Sequence, residues 1–174
     1  IEEANAEFAE ELEGQSYLVD SFYGIVLEDE GEMKFYPYQV LSWHEVVEDT
    51  INGESIAVAY SELTLQSGVY ERTLESGEVA QFAHSGRVWN NTSLLYDDKS
   101  RSLWSLDLGR AVYGELAGEE WKPVAHDVMT WADYKDAYPE GLVLSSDTGF
   151  ERAYYNSPYG NYVAASIIHF PLQT

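Results

Sequence analysis

A chain of 174 residues is long enough for one sizeable hydrophobic core and too short for two ordinary domains, so a single domain is expected. Thirty-one Asp and Glu against nine Lys and Arg leave a formal charge of −22. That charge repels phosphate backbones and anionic membrane faces and argues against nucleic acid as a partner. The absence of cysteine excludes disulfides, thiolate nucleophiles, Cys-ligated zinc and iron–sulfur clusters.

In chain order, Ile1, Ala4, Phe8 and Leu12 fall at helical spacing and predict a short amphipathic helix within residues 1–15, ahead of a β domain over 16–174. Residues 16–27 and 33–37 are rich in Tyr, Val, Phe and Ile and predict a hairpin across an acidic turn. The turn reads as a solvated loop, because it lacks the alternating carboxylates of a calcium loop. Asn52-Gly53 between two apolar runs predicts a second, type I′ hairpin. Further strands are predicted over 69–74, 78–83, 93–96, 102–106 and 111–116, the spacing of an antiparallel barrel or sandwich. Thr130 with Asp133 predicts a capped helix near 131–138, followed by strands over 141–145 and 161–172. With fourteen Tyr and five Trp, which pack well on pleated surfaces, the class is mostly β with a minor helical part. No stretch has the roughly 18 apolar residues that a helical span needs. The opening at Ile1 rather than Met fits a processed, exported product and a trimmed chain equally.

His44-Glu45-Val46-Val47-Glu48 is one residue short of the H-E-x-x-H zinc motif, since Glu48 stands where the second histidine belongs, and the metalloprotease reading fails there. On a strand, His44 and Glu48 would share a face and leave a mixed cation site open. The plainer reading is a buried histidine hydrogen-bonded to a neighbour. His84, His126 and His169 are isolated in sequence and read as structural. No G-x-S-x-G elbow, P-loop or G-x-G-x-x-G is present, so serine hydrolase and nucleotide chemistry have no local support. Asn90 and Asn91 begin two overlapping N-x-[ST] sequons, candidate glycosylation sites in an exported chain.

Several segments together resemble the DUF3179 family: Phe35-Tyr36-Pro37, the run from Trp43 to Gly53, Val58-Ala59-Tyr60, Ser85-Gly86, Leu95-Tyr96-Asp97, Ser102 to Ser105, Gly114 to Gly118, Thr130-Trp131, Val143 to Ser145, Asp147 to Gly149 and Pro158-Tyr159-Gly160. In that family the tyrosine matching Tyr60 is typically followed by Cys-Pro-Leu-Cys, a pattern that implies thiol redox work or a soft-metal site. Here the matching residues are Ser61, Glu62, Leu63 and Thr64, and Ser61 and Thr64 can do neither. The glutamine expected after Ser105 is also replaced, by Leu106.

The resemblance therefore implies a fold more than an activity. His44, Glu45, Tyr60, Ser61, Arg72, Tyr96, Trp104 and Arg152 are the candidate binding residues, to line one pocket or brace one core. Arg72 and Arg152, two of only nine basic residues, are expected to pair with carboxylates inside the fold. The expectation is a non-catalytic structural or binding module, extracellular or at the cell surface, self-associating, without a cofactor and with cations as candidate partners. The alternative is a cation-binding or redox-derived enzyme using His44 and Glu45 beside Ser61.

Overall fold

The computed structural model describes Phe8–Ala9 and residues 17–165. The chain is mostly β: twelve strands in three sheets, with two short helices among the described residues. The sheets stack and none closes on itself, so of the barrel and the sandwich it is the sandwich that forms.

The first sheet is built on the expected hairpin, β2 (Tyr23–Asp29) and β3 (Glu32–Pro37). Its turn is Glu30-Gly31, with φ of 53° and 91°, the left-handed pair that matches strand twist. β11 (Asp127–Thr130) adds beside β2, and β12 (Leu142–Leu144) adds beside β3. β12 runs parallel to β3, the one departure from the antiparallel expectation among these pairs. At the outer edge lies β1 (Phe8–Ala9), paired with β12. Backbone at Phe8–Ala9 is thus extended where a helix was predicted; the rest of that helix lies outside the described residues. Residues 162–164 form a single 3-10 turn rather than the start of the expected last strand, and 166–172 are likewise outside the described residues.

Pro37 at the end of β3 is followed by α1 (Tyr38–His44), two turns that the sequence reading missed. Pro37 has no N–H to lose and its extended ψ of 135° sets the chain up for a helix start. α1 buries Val40, Leu41 and His44 at helical spacing. It ends at Glu45, whose N–H donates to Leu41 O at 2.7 Å. β4 (Val46–Ile51), β5 (Glu54–Ser61) and β6 (Gln66–Glu71) then make the second sheet. The β4–β5 turn is Asn52-Gly53, with φ of 50° and 82°, as its sequence predicts.

β7 (Phe82–Trp89), β8 (Thr92–Asp97), β9 (Leu103–Ser105) and β10 (Arg110–Tyr113) form the third sheet as a meander. A bulge at Ser85-Gly86 interrupts β7 between His84 and Arg87. α2 (Trp131–Ala137) is the expected capped helix, with Asp133 N–H donating to Thr130 Oγ1 at 3.2 Å.

The central strand β5 explains the layering. Ile56, Val58 and Tyr60 point into one core with Ile25, Leu27 and Tyr36 of the first sheet. The alternate residues Ala57 and Ala59 point into another, with Phe82, Trp104 and Trp121 on the side of the third sheet. A strand with both faces covered must be apolar on both, and the alanines leave room for the large rings opposite. The first sheet is double-faced too, since Val26 and Phe35 pack under Trp131 and Tyr134 of α2. The order of layers is α2, first sheet, second sheet, third sheet. Polar ties fasten the two hairpins: Lys34 bridges Asp29 and Asp49 at 2.7 and 3.3 Å, and Tyr36 OH donates to Asp49 at 2.6 Å.

Candidate functional site

The residues following β12 return across the end of α1 and the end of β5, and side-chain hydrogen bonds stitch this strap down. Trp43 Nε1 donates to Asn156 O at 2.9 Å. His44 Nε2 and Tyr154 OH lie 2.7 Å apart, and Tyr154 OH is 2.6 Å from Thr148 Oγ1. Tyr159 OH donates to Glu45 Oε1 at 2.7 Å, and Ser157 Oγ donates to Glu62 Oε1. Two local arrangements result.

The first is centred on Glu45. Its carboxylate is buried yet meets three partners: Ser93 Oγ donates to Oε1 at 2.9 Å, Tyr159 OH to the same atom, and His84 Nδ1 lies 2.6 Å from Oε2. The residue also ends α1 with φ 62° and ψ −31°, a region in which a side-chain-bearing residue is strained. What holds it there is the set of carboxylate contacts together with its own carbonyl, which accepts from Tyr60 N–H at 2.9 Å. The hydrogen bond to Glu45 raises the His84 pKa above its ordinary 6.5, against the opposing effect of burial. The imidazole is half-exposed, and its Nε2 has no partner among the described residues. Burial first and the Glu45 charge second push the Tyr159 phenol upward, so it stays a donor.

The second is a cleft of about 260 Å³ between α1, the end of β5 and the strap. Tyr38 and Tyr60 stack on each other in its wall, with ring centroids 4.1 Å apart and planes 11° from parallel; Tyr23, Tyr154 and Tyr155 also line it. Glu62, at 8% exposure, is the only charged side chain lining it among the described residues. Glu62 Oε2 and the lining Gln39 Oε1 are buried acceptors with no hydrogen-bond partner among the described residues. Burial, and next the Glu62 charge, raise the Tyr60 phenol.

The candidate residues from sequence are thus divided. His44 and Glu45, though adjacent, go to different partners, because the chain turns at Glu45 from helix into strand. The shared strand face for His44 and Glu48 does not exist, since His44 is on α1 and Glu48 on β4. Glu48 instead binds Arg72 at 2.8 Å and accepts from Phe82 N–H, while Arg72 Nε donates to Ala80 O. Ser61 is 2% exposed with its Oγ unpartnered, and Thr64 donates to Asp107 at 3.1 Å. Trp104 is core, its Nε1 donating to Asp97 at 2.9 Å. Tyr96 lies under the Arg101 guanidinium, and Arg152 lies over Phe150 at 5.6 Å. Asn90 and Asn91 form the β7–β8 turn, both at positive φ; the Asn91 amide donates to Leu63 O and accepts from Tyr162 OH.

Sequence reading took His84 as structural and did not single out Ser157 or any cleft tyrosine but Tyr60, while Glu62, Ser93 and Tyr159 stood inside noticed segments without a role of their own. Among the described residues no group of three or more His, Asp or Glu is placed to hold a metal ion, and no helix is long and apolar enough to cross a membrane.

A family model described as "Protein of unknown function (DUF3179)" matches residues 4–174. The chain belongs to that family. No curated protein and no solved structure matches it.

Proposed function

We propose that this DUF3179 protein is a non-catalytic, extracytoplasmic binding module whose ligand enters the tyrosine-lined cleft beside Glu62. The observation that carries the reading is the cleft itself: five tyrosines around two buried acceptors without partners among the described residues. Buried polar atoms without partners are costly, and a site that retains them is suited to an occupant. The positions 61 and 64 offer no thiol, and Ser61 is sealed from solvent, which supports binding over chemistry. The surplus of 22 negative charges supports an extracytoplasmic setting, and self-association is part of the same proposal, supported by the exposed Tyr113 and Val88 on the third sheet.

The test is a thermal-unfolding panel of alkylammonium salts, neutral sugars and carboxylates at matched ionic strength, with each probe recovered afterwards. At least one class should raise Tm with concentration and come back unchanged. No response from any class, or a chemically altered probe, overturns the proposal.

A second reading, a redox-derived enzyme or cation site, is favoured by one observation: the strained Glu45 beside a half-exposed His84. With His44 turned to Tyr154, such a site would rest on Glu45 and His84. Turnover lost in His84→Ala and kept in Glu62→Gln would establish it.

A further inference from the structure

We infer that the occupant of the cleft is a small organic cation, an alkylammonium group held against the tyrosine-lined wall beside the Glu62 carboxylate. The inference rests on the binding-module reading and names its ligand class. Glu62 makes no ion pair with any Lys, Arg or His among the described residues; its one hydrogen bond is from Ser157 Oγ. A buried carboxylate satisfied at one oxygen by a neutral hydroxyl retains a field that only a positive charge offsets well. Both unpartnered atoms of the lining, Glu62 Oε2 and Gln39 Oε1, are acceptors, so an anion or another acceptor would meet repulsion there.

The walls fit the same guest. Tyrosine faces carry the negative side of the ring quadrupole, and aromatic cages with an acid are how proteins hold alkylammonium groups with weakly hydrated charge. Tyr38 and Tyr60 are fixed by stacking, and Tyr38 OH by Ser67 Oγ at 2.8 Å, so that wall is pre-organised. Tyr23 and Tyr155, at 53% and 70% exposure, stand at the rim, where they can close over a guest. The charge of −22 on the chain favours cation arrival. Neutral sugars also stack on tyrosine, but they have no use for an unpaired carboxylate.

Calorimetric titration with choline chloride and with its uncharged isostere 3,3-dimethylbutan-1-ol, at constant ionic strength, separates charge from shape. Choline should bind saturably, and the isostere at least tenfold more weakly. Glu62→Gln, checked for folding by its amide spectrum, should lose most of that preference. Equal affinity for the two probes overturns the cation inference while leaving the cleft as a binding site. Failure of both probes also overturns it, and the binding-module reading falls with it only if the sugar and carboxylate probes fail as well.

Discussion

Glu45 carries two opposing local terms, a backbone at positive φ and a carboxylate that receives three partners. They separate by substitution. Glu45→Ala loses the carboxylate and keeps the strain, whereas Glu45→Gly loses the carboxylate and relieves it. Both variants should be less stable than wild type by about 2 kcal/mol or more, and the glycine variant should be the more stable by about 1 kcal/mol. That inverts the usual order, in which alanine wins by limiting the unfolded chain. Chemical denaturation of the pair decides it, and an alanine variant at or above the glycine variant contradicts the strain assignment. The neighbouring His84 has a raised pKa in the folded state, so its protonated form is the one that folding favours. Its contribution is fully present below the unfolded value of about 6.5 and is lost as pH rises through the folded value. The imidazole signals of His84 should titrate above 6.5 and fall back toward it in Glu45→Gln. An unchanged midpoint in the variant would show that Glu45 is not the cause.

At the scale of elements, hairpins follow their turn residues closely. Asn52-Gly53 has φ of 50° and 82°, and a Cβ at Gly53 would meet nothing within 4 Å, so the cost of a side chain there is conformational alone. Gly53→Val should therefore destabilise by about 1 kcal/mol or more, read from the urea midpoint, and no change would contradict the turn assignment. Such turns, and the Thr130 cap of α2, were legible because their signal is local. α1 was not, because seven residues give only two turns of periodicity and Trp43 and His44 read equally well as strand. β11 was missed since Asp127 and Val128 are exposed and show no apolar alternation. The site was least legible. Glu45 meets His84 across 39 residues and Glu62 meets Ser157 across 95, distances over which sequence spacing carries no geometry. The resemblance pointed to positions 61–64 as the centre of interest, and Glu62, between the replaced thiols, is the residue there that reaches the cleft.

For the whole molecule, charge and layering set the behaviour. With −22 on 174 residues and few basic partners, self-repulsion opposes the compact state. Unfolding midpoints should rise between low and molar sodium chloride as screening shortens. A flat response would mean that the carboxylates are already compensated by bound ions. The four layers put the strap, α1 and the end of β5 on one edge, so the cleft depends on the long-range fold rather than on any single loop. Its role as the ligand site is the central claim, and the most direct test is amide shift mapping. The protein, labelled with nitrogen-15, is titrated with whichever panel probe raises Tm most. The account predicts that shifts concentrate at Gln39, Ser42, Tyr60, Glu62 and Asn156. Shifts confined to the outer groove at Val88, Leu103 and Tyr113, with those five unmoved, would contradict it.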